Sequence, residues 1–165
     1  MTGFDEFVNT RGPALLRFAY LLTGNAHQAE DLVQEALAKS HPRWDKIEQY
    51  EVPEAYVRKA VLRLYLSWRR RRSSTEVVVA TMHDSMAVSM DETDRIAVRE
   101  QLWQLLVKLP RMQRAVLVLR YFEDRDDDDI AGLLGCARAT VRVHAARGLQ
   151  RLRAALPAAG FPLEV

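Results

Sequence analysis

The stretch from Pro53 to Arg72 constrains this chain most, because it can bury only one side of itself and the neighbouring segments must supply the cover. Pro53 suits the first turn of a helix, where its fixed φ is already helical and its missing N–H costs nothing. Glu54 beside it complements the positive end of the helix dipole. Val57, Ala60, Val61, Leu64 and Trp68 then recur at three- and four-residue steps and share one apolar side. The same spacing predicts a second face carrying Arg58, Leu62, Tyr65, Arg69 and Arg72, where cations alternate with an apolar and an aromatic residue. Such a face suits single-stranded nucleic acid, since phosphates attract guanidinium groups and an unstacked base rests on a flat ring. A basic helix end is equally what a solvated terminus looks like, because cations complement the negative end of the dipole. On this stretch alone both readings stand.

The N-terminal flank supplies the cover. Phe4 to Leu22 reads as mostly helical, with Phe7, Leu15, Phe18, Ala19 and Leu22 as core residues around a break near Gly12-Pro13. Thr23-Gly24-Asn25 stops that helix and caps the next, from about Ala26 to Lys39. Its stripe is Ala29, Leu32, Val33, Ala36 and Leu37, which leaves Glu30, Asp31, Gln34 and Glu35 outside. An acidic, amide-bearing face of this kind is usually only solvated. His41 to Tyr50 forms a connection or short helix in which Trp44 is either a hinge packed on the core or a ligand contact. After Arg72 the periodicity lapses, and small, polar and methionine residues run to Met90. Val77-Val78-Val79 has strand composition but no second strand to pair with, so the segment is predicted to be a flexible linker.

Helical spacing then returns. Thr93 or Asp94 can cap a helix carrying Ile96, Leu102, Trp103, Leu106 and Leu109, which Pro110 ends. A helix over Arg111 to Tyr121 places Met112, Ala115, Val116, Leu119 and Phe122 on one face. Asp126 to Asp129 open a short helix bearing Ile130, Leu133 and Leu134, and Gly135 fits a left-handed C-cap. A long helix from about Arg138 to Leu156 follows, before Pro157. Short helix, glycine turn and longer helix make a helix-turn-helix pattern. Val141, Ala145, Leu149, Leu152 and Leu156 form the buried stripe of the long helix, leaving Arg138, Ala139, Arg142, Val143, Ala146 and Arg147 outside. Small residues between arginines allow close approach to a major groove, where an arginine fork can read guanine or hold phosphate. Plain helical hairpins share the same pattern.

The expected fold class is therefore all-α: two small helical domains, 1–72 and 91–156, joined by a linker over 73–90 and followed by a short tail, 157–165. With 48% hydrophobic residues among 165, there is enough apolar material for two cores. The net charge of +2 hides its distribution, since arginine concentrates in 58–72 and 138–153 and acid in 123–129. Cys136 is the sole cysteine, and the four histidines lack metal-ligand spacing, so no metal site is expected. Four consecutive aspartates point in different directions on a helix and do not converge on a cation. No nucleophile, base and acid set or phosphate-binding glycine loop emerges, so neither an enzyme nor a cofactor is expected. Nothing reads as a signal peptide or membrane span, which points to the cytoplasm.

Several segments taken together carry a resemblance. Asp31-Leu32-Val33-Gln34-Glu35-Ala36, Pro53-Glu54-Ala55-Tyr56-Val57-Arg58 and Tyr65-Leu66-Ser67-Trp68-Arg69-Arg70-Arg71 match in order. They are followed by Leu109-Pro110, the run from Gln113 to Asp124, Ile130-Ala131, Leu134-Gly135-Cys136, Thr140-Val141 and Arg151-Leu152-Arg153. Over nearly its whole length the chain resembles bacterial RNA polymerase sigma factors of the extracytoplasmic-function class, in the SigE-like subgroup.

The resemblance implies that 1–72 is sigma region 2 and 91–156 is sigma region 4. It further implies that Asp31, Gln34 and Glu35 dock on the β′ clamp helices of core RNA polymerase, with the β flap as a second contact. Arg58, Arg63, Tyr65, Arg69, Arg70 and Arg72 would meet the minus-ten element of promoter DNA and help to melt it. Arg138, Ala139, Thr140, Arg142, Val143 and Arg147 would hold the minus-thirty-five element. An anti-sigma factor is a further possible partner, and catalysis belongs to the polymerase. Three departures mark this chain: Arg63 stands where relatives usually carry Asn, Arg125-Asp126 where they carry an apolar residue and Ser, and Ala137 where a Ser often caps the recognition helix. Loss of such a cap typically costs ~1 kcal/mol. Two other classes are compatible with the residues. A stand-alone helix-turn-helix regulator has no need of the acidic face, and a sigma-like protein that occupies polymerase without opening DNA is kept in play by Arg63.

Overall fold

The structure is a computed structural model that describes residues 3–71 and 102–155, with side chains for 3–68 and 102–155. Two compact units divide the chain, Met1–Met86 and Ala87–Val165. Among the described residues every regular element is helical. Arg72, the linker with Val77 to Val79, the cap at Thr93 or Asp94, Ile96, Leu156 and the tail lie outside the described residues.

In the first unit α1 spans Gly3–Thr23 without interruption. The break expected at Gly12-Pro13 is absent. Pro13 sits on the exposed side, and burial of Leu15, Phe18, Ala19 and Leu22 along the other outweighs the roughly 3 kcal/mol that an interior proline costs locally. The predicted stop then appears: Gly24 takes φ 70°, and Thr23 Oγ1 donates back to the carbonyl of Ala19 at 2.9 Å. Asn25 caps α2 (Ala26–Ser40), its side chain accepting from the Gln28 N–H at 3.0 Å. A single 3-10 turn, His41–Arg43, leads into α3 (Trp44–Tyr50). Trp44 is core: it is 6% exposed and meets the rings of Phe4 and Phe7 at 5.1 and 4.9 Å.

α4 (Pro53–Arg71) packs against α1, α2 and α3, and three neighbours bury more of it than one stripe. Val57, Val61, Leu62, Leu64 and Tyr65 are all buried, while Trp68 is only partly covered.

In the second unit residues 102–108 form α5, which Pro110 separates from α6 (Arg111–Leu117). Arg114 is buried at 8% exposure and its guanidinium NH2 donates to the carbonyls of Val107 at 2.5 Å and Leu109 at 3.5 Å, serving the C-terminal end of α5. The helix expected to run on to Tyr121 instead widens into a π-turn over Val118–Phe122. Each residue of such a turn advances less than 100°, so Phe122 rotates off the core face and is 49% exposed beside Tyr121 at 56%. α7 (Asp127–Leu134) begins on the cap Asp126, whose carboxylate accepts from the Asp129 N–H at 2.8 Å, and ends at Gly135 with φ 68°. α8 (Arg138–Ala155) closes the unit, burying Val141, Ala145, Gly148 and Leu152 against α6 and α7. Gly148 permits that approach, since a Cβ there would lie 2.9 Å from Leu117 Cδ1.

Candidate polymerase and nucleic-acid surfaces

The outer face of α2 is set by the stripe beneath it. With Leu32, Val33 and Ala36 buried, Glu30, Asp31 and Gln34 project into solvent. Glu35 is different: it is one-third exposed, pairs with Lys39 at 3.5 Å, and accepts the indole N–H of Trp68 at 3.2 Å. Its carboxylate thus joins α2 to α4 just ahead of the arginine run. Helical spacing puts Glu35 outside and Trp68 in the core, with no sign that they meet. Their 33-residue separation leaves no local signal.

The second face of α4, expected to be open, is the main correction. Tyr65 is 2% exposed and Leu62 is 1% exposed, so neither ring nor chain is presented to a strand. Arg58 is turned inward as well: its Nε and NH2 donate to Glu54 Oε1 at 3.2 and 2.9 Å, and its guanidinium lies 5.4 Å from the Phe18 ring centroid. Glu54 also meets Arg11 at 3.4 Å, so this cluster fastens α4 to α1. One helix neighbour would have left these residues outside; α1 and α2 together cover them. What remains outside is the strip Ala55, Lys59 and Arg63, with Ala55 and Arg63 exposed and Lys59 partly so. Arg69 and Arg70 lie in the last turns of α4. An exposed aromatic does exist elsewhere in this unit. Tyr50, 73% exposed, and Val52, 67% exposed, flank the junction into α4. Periodicity passes over them because Tyr50 ends a helix of only seven residues and Val52 lies between helices, so neither falls in a stripe.

On α8 the predicted outer face is intact. Arg138, Ala139, Arg142, Val143 and Arg147 are exposed and Thr140 is partly covered. Two of its arginines already have partners in α7: Arg142 Nε lies 3.5 Å from Asp127 Oδ2, and Arg138 NH1 lies 3.6 Å from Asp128 Oδ1. Asp127 also accepts from Arg120 NH2. The aspartate run, predicted only as a solvated helix start, therefore serves as a cap at Asp126 and as counter-charge to the arginines of α8 at Asp127 and Asp128. The Arg120 hydrogen bond holds the Asp127 carboxyl below the usual carboxylate range, against the opposing effect of burial, and Arg142 adds to it. In return Asp127 raises Arg120.

Two family models match the chain, Sigma-70 region 2 over residues 7–75 and Sigma-70, region 4 over residues 99–152. The RNA polymerase sigma-E factor of Streptomyces coelicolor is 37% identical over 156 residues, which cover 94% of this chain and 86% of that protein. The ECF RNA polymerase sigma factor EcfG of Rhodopseudomonas palustris is 30% identical, over 87% of this chain and 80% of its own. Among solved structures, the sigma factor RpoE of Bartonella quintana, in complex with the anti-sigma factor NepR, matches with a TM-score of 0.70 at 25% identity, covering 95% of this chain and 98% of that one. With a region 2 unit and a region 4 unit in order, the chain belongs to the sigma-70 family as an extracytoplasmic-function sigma factor, a non-enzymatic initiation factor that binds core RNA polymerase and directs it to promoters.

Proposed function

We propose that the first unit docks on the clamp helices of the polymerase β′ subunit through Asp31 and Gln34, while α8 of the second unit holds the minus-thirty-five element in the major groove. The observation that carries this division is the pair of polar faces left open after each unit has covered its own core. One is acidic and amide-bearing on α2, and the other is arginine-rich with small residues between on α8. Opposite charge suits opposite partners. For the minus-ten element the working surface is Arg63 with Lys59, to which the sequence adds Arg69, Arg70 and Arg72 as further cations, and the ring available to an extruded base is Tyr50 in place of the buried Tyr65. Tyr121 and Phe122 offer the second unit an apolar contact for the β flap. An anti-sigma factor, as the RpoE relative has, would cover Asp31 and Gln34 and so compete with polymerase. Work with core polymerase places the chain in the cytoplasm; no described helix is long and apolar enough to cross a membrane.

The test is transcription by the purified chain plus core polymerase on DNA from upstream of its own gene, with an Asp31→Ala, Gln34→Ala double variant beside it. These two are chosen because Glu35 also holds Trp68. Specific transcripts and core binding should both be lost in the variant. Unchanged core binding would defeat the docking assignment, and transcripts that persist when Arg138 and Arg147 are replaced by Ala would defeat the assignment of α8.

A further inference from the structure

Asp127 opens α7, and its two carboxylate oxygens serve different elements. Oδ1 accepts from the guanidinium of Arg120 in the π-turn, while Oδ2 faces Nε of Arg142 on α8 at 3.5 Å. The three side chains differ in freedom: Asp127 is 18% exposed and Arg120 26%, whereas Arg142 is 60% exposed. The carboxylate is thus fixed from the inside, and the outer arginine leans on it. The neighbouring pair is looser, since Asp128 is 72% exposed and stands 3.6 Å from Arg138. A guanidinium offers two forks, one through Nε and one through its two terminal nitrogens. Reading guanine uses a fork on O6 and N7, and Arg142 engages Asp127 through Nε, leaving the terminal fork for a base. Its place suits that use, since Arg142 lies one turn into the helix that enters the groove, at the end where base contacts are made. A carboxylate beside it also makes the arginine a poorer phosphate ligand, because the local charge is already compensated.

We propose that Asp127, anchored by Arg120, is a positioning residue that holds Arg142 to read one guanine of the minus-thirty-five element. The proposal rests on the assignment of α8 as the DNA helix, and the experiment separates the two. Holoenzyme formed with the full chain is bound to duplexes carrying the promoter found in the transcription assay, randomised across the upstream element, and the retained sequences are counted. Arg142→Ala should abolish a guanine preference at one position. Asp127→Asn and Arg120→Gln should lower the preference at that same position about fivefold or more, the range a bidentate base contact supplies, and leave the other positions as they were. Two variants on different elements guard against a local folding defect, and a merely structural role would not single out one base. If Asp127→Asn raises or lowers retention of all sequences alike, the carboxylate acts only as a competitor for phosphate or as a support for the fold, and the proposal falls. If Arg142→Ala weakens binding with no base preference changed, Arg142 is a phosphate contact and the proposal also falls, with the role of α8 intact. If Arg142→Ala and Arg147→Ala both leave retention and preferences unchanged, α8 itself is not the reading helix.

Discussion

Tyr65 and Tyr50 share a chemistry and differ in what surrounds them. Tyr65 is 2% exposed on α4, beneath α1 and α2, so truncating it opens a cavity in the first unit. Tyr65→Ala should destabilise by about 3–5 kcal/mol in urea unfolding, the usual cost of emptying a buried aromatic site. Tyr50, at 73% exposure, has little to lose: Tyr50→Ala should change stability by less than about 0.5 kcal/mol and yet slow strand opening, read by permanganate reactivity of promoter thymines. An unfolding midpoint indifferent to Tyr65→Ala would contradict the packing, and undiminished opening with Tyr50→Ala would remove it from the minus-ten surface. Arg58 makes the same point with charge. Its place in an arginine-bearing helix suggests phosphate, whereas its bonds to Glu54 and its position over Phe18 make it a fastener between helices.

At the scale of the element, α7 is the most explicitly written of the described helices. Asp126 caps it, three further carboxylates complement its dipole, and Gly135 takes the left-handed conformation that ends it. Those acids were legible in the sequence as a helix start; their second duty was not, because Arg120 and Arg142 approach only once the π-turn and α8 have folded against α7. This second duty has a pH signature. A carboxyl whose folded pKa lies below its unfolded value adds stability above that unfolded value and loses it as pH falls through the folded one. Asp127 is depressed in this sense, and Arg120 stays charged throughout the acid range. Stability of the intact chain should therefore fall more steeply below about pH 4 than that of Asp127→Asn, in urea titrations run down to about pH 3. Parallel acid profiles would mean that the Arg120 bond is not made in solution. The π-turn is the converse case. Nothing in Val118–Phe122 departs from helical spacing, yet one wider turn moves Phe122 from the expected core face to the surface.

For the whole molecule, two units with separate cores each carry exposed cations, Arg63 in the first and Arg138, Arg142 and Arg147 in the second. Binding of promoter DNA by the holoenzyme should weaken steeply with salt, because each neutralised phosphate releases counterion. Arg147→Ala should reduce the slope of log K against log salt by about 0.9 if it meets a duplex phosphate, whereas Arg63→Asn should reduce it by about 0.7 if it meets a single strand. An unchanged slope in either variant would take that arginine off the phosphate path. The helical, two-unit layout was legible in the amino-acid order alone. The cap at Asn25, the helix start in the aspartate run and the stop at Gly135 are local consequences of side-chain and backbone chemistry, and the structure places each where the sequence does. The outer faces of α2 and α8 were legible for the same reason, since each helix packs its single stripe inward and leaves the rest to solvent. The outer face of α4 was not, because the number of neighbours around a helix is a tertiary fact. Periodicity can say that one side is buried, but only the packing of α1, α2 and α3 decided that a second side, with Arg58, Leu62 and Tyr65, would be buried too. The contacts between Glu35 and Trp68 and between Asp127 and Arg142 have the same origin, as pairings between helices whose apolar stripes, and not their polar residues, determined how they meet.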